Sequence, residues 1–173
     1  MTLFRTTTTL AFAAALIASP LALVPVAATP GNGFAPNPVG SGNVGTLGIN
    51  TAGDKTGKWG LHLKTLSSTD ISADRLVIQP GGHSGWHTHP GPILVVVTSG
   101  SVVWTNGSDP LCTSRTYTAG EAYIEEPFVV HKASNASGSG GVGAEYLAFA
   151  IKPQGAVGPA FRIDRPQPTN CSF

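Results

Sequence analysis

The sequence predicts an all-β domain, a sandwich or barrel of short antiparallel strands. Three observations carry this. Short runs rich in β-branched and aromatic residues recur between turn signals, no segment sustains a helical period with start and stop signals, and 22 Gly and 14 Pro are scattered without a repeat. The 173 residues suffice for one ordinary domain. Charged residues make up 11% of the chain and the formal net charge is +1, with no run of like charges, so nucleic acid and acidic membrane surfaces lose their electrostatic basis as partners.

Residues 1–28 read as a signal peptide. Arg5 precedes an uncharged stretch from Leu10 to Val26, broken by Pro20 and Pro25, and the small residues Ala27 and Ala28 follow as a cleavage site. The mature chain would then be secreted, extracellular or periplasmic, with no membrane attachment after cleavage. Residues 29–56, rich in Gly, Asn, Pro and Thr, read as an extended arm or loop. The barrel itself is expected over residues 57–153. Its strands are expected at Trp59–Leu66, Arg75–Gln79, Ile93–Thr98, Ser101–Thr105, Arg115–Thr118, Ala122–Glu125 and Ala144–Lys152, with Asn106-Gly107 as a tight turn. Residues 154–173 form a Pro-rich, extended tail. Cys112 and Cys171 are the only cysteines, and an even pair in an exported chain reads as one disulfide pinning that tail. Three Asn-x-Ser sequons, at Asn106, Asn135 and Asn170, fit the glycosylation pattern if the host cell glycosylates.

Chemistry concentrates between Gly81 and Pro92. On an extended strand, residues two apart face one side about 6.5–7 Å apart, so His87 and His89 can aim at a common point. Imidazole is the commonest metal ligand, and a His-x-His pair supplies half a site that another strand must complete. His83 shares their parity, but the surrounding glycines suggest a loop and a place on the rim.

At these residues the chain resembles the cupin family. Gly81, His87, His89 and Gly100 stand at the spacing of the family's first motif, with Ile93 where the family has its ligand glutamate. Gly120, His131 and Asn135 fit the second motif, with Glu126 and Phe128 where the family has Pro and Gly. The segment Gly85-Trp86-His87-Thr88-His89-Pro90-Gly91-Pro92 and the late cysteine are similar to those of small exported cupins. The resemblance implies a double-stranded β-helix, or jelly-roll barrel, with His87, His89 and His131 holding a divalent metal: Fe, Mn, Zn, Ni or Cu. Homodimerisation is expected by analogy of fold.

With Ile93 in the glutamate position, three neutral imidazoles would leave the ion its full charge. Glu125 and Glu126 lie close to His131 in sequence; one could turn inward as ligand or base, but the reading adopted is a solvated turn. His83, Trp86, Ile93, Tyr123, Glu125, Glu126 and Phe128 are the candidates to line a pocket. His62 reads as structural. Two functions follow: a metal-dependent oxidoreductase such as a dioxygenase acting on a small organic substrate, or a non-catalytic module holding a small-molecule ligand. A scaffold role of the germin-like kind is a third.

Overall fold

The computed structural model describes residues 27–51, 57, 59–138 and 140–172. The signal-peptide expectation falls almost wholly on residues outside that set. Among the described residues, twelve strands run β1 (Asn32–Gly45), β2 (Gly48–Asn50), β3 (His62–Lys64), β4 (Thr69–His83), β5 (His87–Thr88), β6 (Ile93–Ser99), β7 (Ser101–Asn106), β8 (Ser114–Thr118), β9 (Ala122–Glu125), β10 (His131–Asn135), β11 (Ala144–Pro153) and β12 (Ile163–Asp164). Ten of them form one antiparallel sheet along the path β12-β5-β10-β4-β11-β6-β9, with β1 added to β4 and a β7–β8 hairpin added to β10. It curls into a nearly closed barrel, as a jelly roll requires.

The core follows from alternation. In β6 the inward residues are Ile93, Val95 and Val97; in β11 they are Ala144, Tyr146, Ala148, Ala150 and Lys152. All of these except Lys152 meet Ile78, Val102, Tyr117, Tyr123 and Ala133 in the main core. Small residues at 148 and 150 leave room at one end of the barrel, and a cavity opens there. A second, smaller cluster packs Trp86 and Val130 around Cys112 and Cys171, which are joined as a disulfide with Cα atoms 5.4 Å apart.

Of the expected arm over residues 29–56, the described part, 29–51, is not loose. Asn32–Gly45 forms β1, which pairs antiparallel with β4 through register shifts. Its composition disguised it, since Pro36 and Pro38 cannot donate to a ladder. An edge strand bonded on one side only tolerates that loss. Nor is β4 confined to Arg75–Gln79: flanked by β1 and β11, it is held by ladders on both sides, so Asp70, Ser72 and Asp74 can sit in a strand despite weak propensity. It continues to His83, which stands in the strand, not on a loop. The C-terminal segment also enters the sheet, where Ile163 and Asp164 pair with Thr88 and His87. The N- and C-terminal segments clasp one another at Trp86, whose carbonyl accepts from the Arg165 amide while Thr29 bonds the Trp86 amide and the Arg165 carbonyl.

Candidate metal centre

Strand β5 and the turn after it present His87 and His89, and the start of β10 presents His131 directly opposite His87. The His131 ring lies 4.4 Å from that of His87 and 5.0 Å from that of His89, centroid to centroid. All three are buried. Each ring is oriented from behind in the same way. His87 Nδ1 lies 3.0 Å from the Gly85 carbonyl, His89 Nδ1 2.6 Å from that of Gly91, and His131 Nδ1 2.9 Å from that of Val129. A carbonyl only accepts, so each Nδ1 carries the hydrogen and each Nε2 is free to act as a ligand. Two of the supporting residues are glycines with little space around them. A Cβ on Gly91 would stand 1.9 Å from the Ile151 carbonyl oxygen, and one on Gly85, at φ +72°, 2.2 Å from that of Thr29.

The fourth member is Glu125. It is 5% exposed, and one carboxylate oxygen lies 3.3 Å from His89 Nε2 and 3.4 Å from His131 Nε2. The reading of Glu125 as a solvated turn charge is therefore wrong. Glu125 is the last residue of β9 and sits in register with Ile93 across the β6–β9 ladder, both facing inward. A carboxylate thus reaches the cluster from the strand beside position 93, and an ion held there would be partly neutralised, against the expectation that it would retain its full charge. Glu126, one residue on, points outward as strand alternation demands.

This donor set fits a metal ion. Neither His89 Nε2 nor His131 Nε2 has a hydrogen-bond partner, although both are buried. Two neutral imidazoles would aim lone pairs at a carboxylate, an arrangement that needs a cation or a proton among them. His89, Glu125 and His131 offer ligand atoms within 4.8 Å of one another. Bonds of about 2.0–2.2 Å to one ion place neighbouring ligand atoms about 3–3.4 Å apart. His87 stands outside that tight set and faces the cavity.

Proton chemistry follows from the same packing. Burial works to raise the Glu125 carboxyl, but the charge of His131 and the contacts with His131 and His89 overcome it and hold the group well below its usual range. Burial works to lower His131, yet Glu125 raises it overall; burial, with His131 beside it, pushes His87 well down. A raised histidine stabilises the fold fully below pH about 6.5 and loses that contribution as the pH rises through its folded value, whereas a depressed one contributes above about 6.5 and loses it as the pH falls. Glu125 contributes above about 4.5 and loses its share only in strong acid. His87→Gln should therefore cost the metal-free protein less stability between about pH 6.5 and 5 than wild type suffers. Urea midpoints at each pH measure this, and parallel curves for the two proteins would refute it.

A cavity of about 270 Å³ lies against His87 and His89, walled by Phe34, Leu76, Ile93, Ala148 and Phe161 among others. Of the residues expected to line a pocket, Ile93 does so. Trp86 is instead buried against the disulfide, and Tyr123 belongs to the core, stacked 4.4 Å from Tyr117. Phe128 is 67% exposed, with φ +61°, holding the left-handed turn where the second motif has Gly. His83, half-buried, accepts from the Gly85 amide and is not in the cluster. His62 is exposed in β3. The sequon asparagines are engaged: Asn135 is buried and donates to the carbonyls of Ile78 and Val142, and Asn170 donates to that of Asp109. Sequence reading missed Phe34 on β1, Asp74 on β4, and Phe161 and Arg162 near the C-terminus. The alternation in Phe161-Arg162-Ile163-Asp164, within an otherwise Pro-rich tail, was the available signal for the last two.

Residues 74–141 match the Cupin domain family, so the chain carries a cupin domain. No curated protein matches the chain. Among solved structures, a cupin-like protein from Thermotoga maritima is 25% identical with a TM-score of 0.43, over 56% of this chain and 65% of that one. A Cupin 2 conserved barrel domain protein from Salinispora arenicola is 19% identical with a TM-score of 0.40, over 49% and 64%. A conserved protein of unknown function from Streptococcus pyogenes is 17% identical with a TM-score of 0.41, over 49% and 66%. The chain thus spans less than two thirds of the length of each of these three.

Proposed function

From a cupin domain that buries a His–Glu–His cluster, we propose a divalent-metal-dependent protein that binds a small organic substrate in the adjoining cavity and acts on it as an oxidoreductase. The observation that carries the metal is the pair of unpartnered Nε2 atoms facing the Glu125 carboxylate. His89, Glu125 and His131 would hold the ion, with His87 completing the set from the cavity side. Imidazole and carboxylate donors suit Fe, Mn, Zn, Ni or Cu. A bound ion of this kind supplies Lewis acidity and, for Fe, Mn or Cu, redox chemistry at open positions.

The chain's own groups do the rest. The Gly85, Gly91 and Val129 carbonyls fix the rings, while Phe34, Leu76, Ile93 and Phe161 exclude water. Asp74, on the cavity wall and raised by burial against the opposing effect of Lys152, is placed to accept a proton from a bound ligand. The disulfide fits an oxidising compartment, and we place the protein's work outside the cytoplasm. The largely apolar wall favours a second reading, a binding module that holds its ligand unchanged.

Elemental analysis of natively purified protein tests the metal. About one equivalent is expected, falling at least about tenfold in His131→Ala and His89→Ala. Metal-free wild type, or variants that keep wild-type content, would overturn the reading. Ligand that stabilises the loaded protein and is never converted would favour the binding module.

A further inference from the structure

The cavity beside the histidines has two charged side chains on its wall, Asp74 and Arg162. Asp74 has the charge of Lys152 acting on it as partial compensation. Arg162 is fixed from three directions. Its Nε lies 2.9 Å from Asp164 Oδ1, an Nη2 hydrogen goes to the Ser84 carbonyl, and its guanidinium sits 5.7 Å from the centre of the Phe34 ring. A guanidinium has five N–H donors in a planar fork. These contacts use two, and the three that remain belong to the Nη atoms, the pair that grips carboxylates in bidentate fashion. The side chain is also close to the histidines: it shares the cavity wall with His87 and His89, and Asp164, two residues on, pairs with His87 across the β12–β5 ladder.

We propose that Arg162 is a carboxylate anchor, and that the ligand of this cavity is a small, otherwise apolar organic acid. Its carboxylate would meet the Arg162 fork while its body lies along Leu76, Ile93 and Phe161, with the far end toward His87 and His89. Size limits the class. A cavity of about 150 Å³ takes benzene, so 270 Å³ accommodates about ten or eleven non-hydrogen atoms, the bulk of an arylalkanoic acid. Desolvation by apolar walls strengthens the pairing, and a fork already held in place loses little freedom on binding. The inference deepens the proposed function and rests on it only for what the far end of the ligand meets.

The test uses 3-phenylpropionate and its neutral counterpart 3-phenylpropan-1-ol, titrated calorimetrically into the full chain, with metal content measured alongside. The acid is expected to bind at least about tenfold more tightly than the alcohol. Arg162→Met should remove that preference without changing metal content. Asp164→Asn, which frees the Nε edge and removes a competing carboxylate, should keep or increase it. Equal affinity for acid and alcohol, binding of neither, or an undiminished preference in Arg162→Met would overturn the anchor. Should Arg162→Met fail to fold for want of the Ser84 link, a fall in acid preference in Asp164→Asn would overturn it instead. An acid preference intact in a protein that takes up no metal would overturn the metal centre and leave the anchor standing.

Discussion

Glu125→Gln is expected to lower metal affinity by at least about tenfold while the barrel stays folded. The amide keeps the shape of the side chain but loses the charge that balances a divalent ion. Its NH₂ group can donate to the lone pair of His89 Nε2 or His131 Nε2, which lie 3.3 and 3.4 Å from the present carboxylate oxygen. The metal-free variant should therefore be no less stable than metal-free wild type at neutral pH. The sharper form of the experiment is the exchange Ile93→Glu with Glu125→Ile. The two positions are cross-strand partners on the same face, with Cβ atoms about 4.5–5.5 Å apart. A carboxylate at 93 can thus reach the region now served from 125, and the exchanged protein should recover most of the affinity lost in Glu125→Gln. Adding Ile93→Glu alone puts a second carboxylate beside the first, which tightens metal binding but destabilises the empty site through like-charge repulsion. Metal titration against a competing chelator reads all three variants. Unchanged affinity in Glu125→Gln, or an exchanged protein no better than that single variant, would show that the carboxylate is not a ligand.

The three histidines were legible because their signal is local: a His-x-His pair needs only strand geometry, and His131 followed from motif spacing. Glu125 was not, because its role depends on a register between β6 and β9 that no stretch of sequence displays. Position 93 looked like a deletion of the carboxylate, whereas the ladder places a carboxylate directly across from it on the next strand. The rim of the cavity was hidden for a different reason. Phe34 lies in a strand whose prolines argue against it, and Phe161 and Arg162 lie in a tail whose composition suggests a linker. Each segment is strand-like only because β4 or β5 offers it a free edge, so tertiary pairing overrides local propensity. Interior strands with apolar alternation, β6 and β11 above all, were read nearly to their ends. The short polar β10 was missed, since its inward residues are His131, Ala133 and Asn135.

Removing the disulfide should have the largest effect on stability and should also reshape the cavity. Cys112 and Cys171 are 59 residues apart in sequence. Closing a loop of that length restricts the unfolded chain by about 4 kcal/mol at 25 °C in the chain-entropy account. At about 2–4 °C per kcal/mol for a domain of this size, Cys112→Ser with Cys171→Ser should lower the melting temperature by roughly 10 °C. The same bond secures the segment that carries Phe161 and Arg162. Between those residues and Cys171, the chain is otherwise held by the two-residue β12 ladder, by the Arg165–Trp86 bond and by side-chain contacts such as that of Asn170 with the Asp109 carbonyl. Of the candidate metal ligands, Glu125 and His131 are held by the ladders of β9 and β10 within the barrel, whereas that segment meets only β5, where Asp164 pairs with His87, and the His89 ring, 6.0 Å from that of Phe161. Loss of the bridge should therefore weaken binding of 3-phenylpropionate far more than it weakens binding of metal, and the two titrations on the double serine variant separate these effects. If metal and acid affinity fall together, the tail supports the whole centre and not the cavity wall alone. If neither falls while the melting temperature does, β12 suffices to place Arg162, and the bridge acts only on the unfolded chain.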